Sequence, residues 1–239
     1  MIMIKRILTV ILVLTLLFSL AAIVGCSDAG NNEKYLVLVN KKNTVGADFI
    51  PDDLVDIDKK YTTGGKSIQL EKTALEAVIK MLDAMKKDGI KNVTITSAYR
   101  TYAYQGNLFE SYIVRETAAH PSWSEKKVRE EVLKYSAAPG TSEHQTGLCV
   151  DLFTDEMEGL YNYGDETPNN PWDKGFAETE AFEWLSKNAH KYGFILRFPE
   201  DKTSVTGYSY ESWHYRYVGV DAATEIHKNG ITLEEYLDK

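Results

Sequence analysis

The sequence predicts an α+β fold, and three observations carry that prediction. Apolar residues recur at helical spacing in several segments. Short stretches in which apolar and polar residues alternate lie between those segments and predict strands. The two kinds of element follow one another without the regular alternation that is typical of a doubly wound parallel sheet. The chain has 239 residues, enough for one domain with a substantial core.

Apolar spacing and capping residues predict the individual elements in chain order. A helix over 70–85 rests on seven apolar residues at helical spacing, and Gly89 is a suitable terminator. Ser-x-x-Glu at 122–125 predicts a capped helix that extends to about Tyr135. Further helices are predicted at 101–118, 178–192, 221–228 and after Thr232, strands at 35–39, 92–99, 148–153, 194–198 and 215–218, and irregular segments at 48–60 and 155–175.

The first 25 residues are predicted to be a lipoprotein signal peptide. Lys5 and Arg6 precede an almost wholly apolar run at 7–24, and the run ends in the letters IVGC. This ending resembles a lipobox, in which Cys26 is lipidated and becomes the mature N-terminus. Residues 26–34 are then a polar tether, and 35–239 form the folded domain. The alternative is an uncleaved signal anchor, because the run nearly reaches the length that spans a bilayer. Both interpretations place the domain outside the membrane.

Charge and cysteine content narrow the possible partners. The net charge is −8, and the loss of Lys5 and Arg6 with the signal peptide makes it about −10. This argues against nucleic acid as the main partner, because a polyanion would be repelled. The chain has two cysteines. If Cys26 carries lipid, Cys149 has no disulfide partner, and its apolar neighbours predict a small buried hydrophobic side chain.

Two of the five histidines lie in segments rich in potential ligands and catalytic groups. His144 lies in the letters SEHQTG, with Asp151 seven positions later, and His214 lies in ESWHYRY. Two imidazoles and a carboxylate are a three-ligand set suited to Zn²⁺, with a fourth position open for water. The metalloprotease motif H-E-x-x-H is absent from the sequence, which excludes that class. On spacing alone, two structural histidines with satisfied hydrogen bonds remain an alternative.

Both segments resemble the VanY-type D-alanyl-D-alanine carboxypeptidases. The matching motifs are Ser-Glu-His-Gln-Thr-Gly-x-x-x-Asp from Ser142 and Glu-x-Trp-His-x-Arg-Tyr-Val-Gly from Glu211. A third block, the letters SAYR at 97–100 followed by Gln105, also matches. This family is grouped with lysostaphin-like peptidases and the hedgehog N-terminal domain in one zinc-peptidase superfamily. The resemblance covers residue 35 to the C-terminus, and it implies a single domain with a small central antiparallel sheet flanked by helices.

The resemblance implies a role for each matched residue. His144, Asp151 and His214 are expected to bind one zinc ion per chain. Glu211 is expected to be the general base and acid, and Arg100 to hold the scissile carbonyl and its developing negative charge. Weaker candidates for substrate contact are Gln105, Ser142 and Trp213.

Two neighbours of the matched positions are expected to be structural. Glu143 adjoins His144 and is a rival base, but we expect it to support the fold. Cys149 stands where many relatives have a small residue such as alanine, and we interpret it as tolerated packing.

The resemblance implies a metallopeptidase that removes the terminal D-alanine from peptidoglycan stem peptides in a bacterial cell envelope. An L,D-carboxypeptidase acting on tetrapeptide stems has the same motifs, so this alternative stays open. A non-catalytic zinc-containing module that binds cell-wall peptides is a different class, and the presence of both Glu211 and Arg100 argues against it. The expected partners are stem peptides or their precursors, together with the membrane through a lipid on Cys26.

Lipidation of Cys26 is the first testable prediction. The protein recovered from the membrane fraction of a suitable bacterial host should begin at Cys26 and carry the additional mass of acyl chains, because the apolar run ends in a lipobox-like sequence. Intact-mass spectrometry with N-terminal sequencing measures both properties. A Cys26→Ala protein should retain its leader and gain no acyl mass. A mature wild-type protein that begins elsewhere would contradict the prediction.

Overall fold

The structure is a computed structural model that describes residues 33–157 and 175–238. The described residues from Tyr35 onward belong to one compact unit. The predicted signal peptide, most of the predicted tether and most of the predicted loop at 155–175 lie outside the described residues. Within the described ranges, no helix combines the length and the apolar composition needed to cross a bilayer.

An antiparallel sheet of four strands forms the centre of the domain. The strands of the structure are β1 (Leu54–Asp56), β2 (Gln69–Glu71), β3 (Val93–Ser97), β4 (Cys149–Thr154), β5 (Phe194–Phe198) and β6 (Glu211–Tyr217). The central sheet has the order β3-β4-β6-β5, and each neighbouring pair is antiparallel. β1 and β2 pair separately as a small antiparallel sheet. The predicted α+β class with a small antiparallel sheet is therefore confirmed.

Helices lie between these strands and at the C-terminal end. They are α1 (Lys72–Lys87), α2 (Tyr102–Ala119), α3 (Glu125–Tyr135), α4 (Glu180–Asn188), α5 (Thr203–Thr206), α6 (Val220–Asn229) and α7 (Leu233–Leu237). Capping side chains define several of their first turns. Thr101 accepts a hydrogen bond from the amide of Tyr104 at the start of α2. Thr232 and Glu235 form the reciprocal capping box that begins α7, as the sequence predicts.

The hydrophobic core lies between α1 and one face of the central sheet. The apolar stripe of α1 is fully buried, including Val78, Met81 and Met85. From β4, Val150 and Leu152 contribute to the same core, because alternate residues of a strand point to the same face. A smaller cluster joins α2 to α3 through the buried residues Phe109, Ile113, Val128 and Val132.

Four details of the predicted secondary structure are wrong. The segment 35–39 forms no strand; its carbonyl groups at Tyr35 and Val37 instead accept hydrogen bonds from the Arg216 guanidinium. The segment 48–60 is not irregular throughout, because it contains β1. The N-cap of α3 is Ser124 and not the predicted residue two positions earlier. β6 begins at Glu211, four positions before the predicted strand, because its first residues are mostly polar and hide the strand signal.

Two arginines and two glutamates form a buried cluster, which we call the Arg–Glu cluster: Arg197, Arg216, Glu143 and Glu234. Arg197 donates to Glu143 at 2.8 Å and to both carboxylate oxygens of Glu234 at 2.9 and 2.7 Å. Arg216 donates to the same oxygen of Glu143 at 3.0 Å. Both arginine side chains are 0% exposed, so these carboxylates must replace the solvation that water would provide.

Removal of one member of the Arg–Glu cluster should destabilise the domain strongly. Arg197→Ala leaves the carboxylates of Glu143 and Glu234 buried without their main partner. We expect the free energy of unfolding to fall by about 3–5 kcal/mol, measured by urea denaturation. Arg129→Ala is the matched control, because it removes an exposed guanidinium that pairs with Glu125 on the surface of α3, and it should change stability little. Equal effects of the two substitutions would contradict the prediction.

Candidate metal centre and active site

Strand pairing brings the two histidine motifs together. In the register between β4 and β6, Asp151 lies directly opposite His214. His144 lies on a single 3-10 turn, Glu143–Thr146, which immediately precedes β4. Gly147 connects this turn to the strand with a φ of 67°, and a Cβ there would lie 2.9 Å from a side-chain carbon of Leu54. Only glycine therefore fits the turn that carries His144 towards β6.

Each imidazole is held by one nitrogen and faces Asp151 with the other. His144 Nδ1 lies 2.6 Å from the carbonyl oxygen of Ala98, and its Nε2 lies 3.3 Å from Asp151 Oδ2. His214 Nε2 lies 2.8 Å from Glu143 Oε1, and its Nδ1 lies 2.9 Å from Asp151 Oδ1. Outer partners of this kind select the tautomer of a metal-binding histidine. The donor nitrogens directed to the centre are thus Nε2 of His144 and Nδ1 of His214.

Glu211 and Arg100 lie at the edge of this centre. Glu211 Oε2 is 3.5 Å from His214 Nδ1, the nitrogen that faces Asp151. Arg100 donates to Asp151 Oδ2 at 2.8 Å and is held by the side chains of Ser97 and Gln105 at 3.0 and 3.1 Å. The side chains of Glu211 and Arg100 are 15% and 18% exposed, so both remain open to a substrate.

A thiol also lies at the centre, next to the predicted ligands. Among the described residues, His144, Cys149 and His214 form a group whose potential metal-binding atoms all lie within 4.8 Å of one another. The carboxylate of Asp151 contacts both of the same histidines. The donor atoms available to a metal are therefore two imidazole nitrogens, one carboxylate and one sulfur, a set that suits zinc.

The buried charges shift the pKa values of the site in a way that favours a bound cation. Burial and the guanidinium of Arg100 lower the pKa of His144, but the carboxylate of Asp151 and the sulfur of Cys149 outweigh both effects and raise it to about 9. Burial opposes ionisation of Asp151, yet the imidazoles of His144 and His214 hold its pKa well below the usual range. Without a metal the centre therefore holds protons that a divalent cation could replace.

Burial raises the pKa of Glu211 to about 7. A carboxyl group with such a pKa exchanges a proton readily near neutral pH, which is the property that general acid–base catalysis requires. Glu143 differs, because the guanidinium groups of Arg197 and Arg216 overcome the effect of its burial and hold its pKa well below the usual range. Glu143 is thus a permanently ionised partner of His214, in keeping with the structural role expected for it.

The remaining predicted site residues lie at different distances from the centre. Gln105 is buried, and it bridges Arg100 to the carbonyl oxygen of Ala137. Ser142 is buried at the N-cap of the 3-10 turn that carries His144. Trp213 is partly buried and packs against the main hydrophobic core. The structure therefore brings Gln105 to Arg100 and Ser142 to the turn that carries His144, whereas Trp213 packs with the core.

Sequence reasoning did not identify Cys149 or the two buried arginines as parts of the site. Arg197 lies in an apolar strand with the letters FILRF, and a charge at such a position indicates a buried partner. Arg216 lies two positions after His214, so strand alternation places both side chains on one face of β6. Cys149 is related to Asp151 in the same way on β4. Strand alternation could have found Arg216 and Cys149, and the charge within an apolar strand could have found Arg197.

Comparison with known protein families identifies this arrangement. The family model described as VanY, D-alanyl-D-alanine carboxypeptidase, matches residues 67–220, which include every predicted ligand. The chain belongs to this family. The predicted family and the predicted enzyme class, a carboxypeptidase, are therefore confirmed.

This VanY-family chain is similar in sequence to a bacterial carboxypeptidase and in structure to solved members of the family. A D-alanyl-D-alanine carboxypeptidase of Enterococcus faecalis is 32% identical over 88% of this chain and 69% of its own length. A crystal structure of a vancomycin-resistance D,D-pentapeptidase VanY mutant in complex with Zn(II) is 32% identical, with a TM-score of 0.67, and the match covers 85% of this chain and 99% of that one. The LD-carboxypeptidase LdcB is 33% identical, with a TM-score of 0.65, over 88% of both chains. The predicted cofactor, zinc, agrees with the metal in the first of these structures.

Zinc binding to this VanY-family chain should release protons. The raised pKa of His144, about 9, means that the metal-free imidazole is largely protonated at neutral pH, and a metal must displace that proton. The apparent zinc affinity should therefore fall as the pH is lowered from about 9. Titration calorimetry of metal-free protein in two buffers of different ionisation enthalpy measures the protons released.

The control for this titration is His120→Ala, which removes a histidine stacked on Trp123, outside the candidate centre. This variant should release the same number of protons as the wild type. Zinc binding without proton release, or with an affinity independent of pH, would contradict the prediction.

Proposed function

We propose that this chain is a zinc-dependent D,D-carboxypeptidase that removes the terminal D-alanine from peptidoglycan stem peptides. The observation that carries the proposal is the convergence of donor atoms from His144 and His214 on Asp151, with Glu211 beside them, in a member of the VanY family. The activities of the E. faecalis D-alanyl-D-alanine carboxypeptidase and of the VanY D,D-pentapeptidase support the same substrate class.

His144, Asp151 and His214 are the proposed ligands of one zinc ion. Supporting this, hydrogen bonds to Ala98 and Glu143 occupy the outer nitrogens of the histidines and leave the inner ones for the metal. When bound, zinc would polarise the peptide carbonyl and lower the pKa of water, so that the water loses a proton near neutral pH and becomes a nucleophile.

Glu211 is the proposed acid–base group. Its carboxylate lies on the metal-facing side of His214, and burial raises its pKa to about 7. In its ionised form Glu211 accepts a proton from the attacking water, and it then delivers that proton to the departing D-alanine nitrogen as the peptide bond breaks. A non-catalytic zinc module would need no acidic group with this pKa at this place, which favours the enzyme over the binding module.

Arg100 is the proposed partner of negative charge on the substrate. Its guanidinium stays charged at every relevant pH, and its fixed, partly exposed position suits stabilisation of the carbonyl oxygen as charge develops there. Because Gln105 contacts Arg100 and a main-chain carbonyl, we propose that Gln105 orients Arg100 and does not itself touch the substrate. Ser142 and Trp213 remain proposed substrate contacts.

A second candidate function is removal of D-alanine from tetrapeptide stems by L,D-carboxypeptidase activity. The observation that favours it is the similarity to LdcB, which matches the chain as well as the VanY structure does in sequence identity. The two reactions share the same bond-breaking chemistry, so the ligands and Glu211 serve either one.

We further propose that the enzyme acts on the outer side of the bacterial membrane. The relative LdcB recognises peptidoglycan, and the proposed lipid on Cys26 with the tether at 26–34 would hold the domain of this chain beside such a substrate. The proposed signal peptide at 1–25 would direct the export of the chain.

Glu211→Gln should abolish most turnover while zinc binding persists. The amide keeps the shape of the side chain but accepts no proton, and loss of such a group lowers the rate by about 10²–10⁴-fold. Release of D-alanine from pentapeptide and tetrapeptide stems, identified by mass, is measured beside zinc content. Release from the pentapeptide is expected for the wild type, and release from the tetrapeptide alone would move the assignment to the L,D-carboxypeptidase.

Two further glutamate variants serve as comparisons. Glu130→Gln changes an exposed residue that pairs with Lys126 on α3, and its activity should match the wild type. Glu143→Gln weakens the partner of His214, and we expect about 10–100-fold weaker zinc binding. Normal turnover in Glu211→Gln together with inactivity of zinc-loaded Glu143→Gln would transfer the acid–base role to Glu143. Loss of zinc in Glu211→Gln would make Glu211 a ligand.

A further inference from the structure

Cys149 lies at the metal centre, but the proposed carboxypeptidase mechanism does not use it. Strand alternation separates it from the core: its neighbours Leu148 and Val150 belong to the main hydrophobic cluster, whereas Cys149 and Asp151 share the other face of β4. The expected packing role is therefore incomplete. The side chain is fully buried, as expected, but it is buried against the two histidines of the centre.

The distances suit a shared metal. The sulfur of Cys149 and one ring nitrogen of each of His144 and His214 lie within 4.8 Å of one another. Donor atoms around one tetrahedral zinc lie about 3–4 Å apart, given bond lengths of about 2.0–2.3 Å. A contraction of about 1 Å is thus enough to bring all three donors into one coordination sphere.

The chemistry of the group also favours a metal. Thiolate and imidazole are the two donors that zinc binds most often in proteins, and zinc sites that combine them with each other are common. Complete burial keeps Cys149 away from a second thiol, and within the described residues it is the free cysteine of the domain. The surroundings of Cys149 therefore favour metal binding over a disulfide bond.

We propose that Cys149 is a further ligand of the metal, so that the centre of this chain combines two imidazoles, one carboxylate and one thiolate. The inference rests on the proposed zinc site, although it does not depend on which stem peptide is cleaved. On coordination the thiol proton is released to solvent, and the sulfur takes its place in the ligand set. The soft donor increases the preference of the centre for zinc over magnesium, calcium or manganese. The attacking water would then be the fifth ligand, a coordination number that catalytic zinc sites allow, and Arg100 would hold the substrate carbonyl.

X-ray absorption spectroscopy of the zinc-loaded full chain tests the proposal directly. The wild type should show a zinc–sulfur distance of about 2.3 Å beside nitrogen and oxygen distances of about 2.0–2.2 Å. Cys149→Ala and Cys149→Ser should lose the sulfur contribution, and the serine variant retains a small polar side chain for a buried site. Cys26→Ala is the matched control, because it removes the other cysteine of the chain and should keep the sulfur contribution.

Cobalt substitution provides a second readout. Co²⁺-loaded wild type and Cys26→Ala should show a thiolate-to-metal charge-transfer absorption in the near ultraviolet, and Cys149→Ser should lack it. A wild-type zinc spectrum with nitrogen and oxygen neighbours only would overturn the proposal, even where a variant binds no metal. Persistence of the sulfur contribution in Cys149→Ser would overturn it as well.

These outcomes are separable from failure of the proposed function. Release of D-alanine by a zinc centre that lacks sulfur would refute the role of Cys149 and leave the carboxypeptidase intact. A sulfur-containing zinc centre that releases no D-alanine from either stem peptide would confirm the ligand and refute the reaction.

Discussion

The buried carboxylate of Glu143 is the interaction on which the rest of the site depends. One of its oxygens accepts hydrogen bonds from Arg197 and Arg216, and the other lies 2.8 Å from His214 Nε2. An isolated charge at this depth would cost several kcal/mol, so these partners must be in place together. Through them one carboxylate connects β5, β6 and the turn before β4, and Glu234 extends the same cluster to the last helix. Fold stability and the orientation of the His214 imidazole therefore share one electrostatic arrangement.

The geometry of the centre depends on the register between β4 and β6. Asp151 faces His214 only in the observed pairing, and a slip by one residue would turn every side chain of a strand to the opposite face. The alternation that brings Asp151 and His214 together also directs Val150 and Tyr215 into the hydrophobic core. Burial of the core thus selects the register, and the register in turn assembles donors that lie 63 positions apart.

Two kinds of electrostatic environment lie side by side in the site. Glu143 is surrounded by guanidinium groups and stays ionised, whereas burial raises the pKa of Glu211 to about 7. Glu143 therefore carries a fixed negative charge, whereas Glu211 can gain or lose a proton near neutral pH. Arg100 adds a fixed positive group next to Asp151, although the chain as a whole carries a net charge of −8.

The sequence by itself determined the fold class and the family, and it predicted His144, Asp151 and His214 as the ligands of the candidate centre. The helical spacing of apolar residues predicted α1, and the order of residues in the two family motifs identified His144 and His214. Residue type and local spacing are enough for both predictions. Only the tertiary structure decided how distant groups satisfy one another. The segment 35–39 has strand-like residues, yet its carbonyls bind Arg216, about 180 positions away. The apolar neighbours of Cys149 predict a core residue, but the face of the sheet to which its side chain points depends on strand pairing. The burial of a side chain and the identity of its distant hydrogen-bond partners are properties of the folded chain, so no local sequence pattern encodes them.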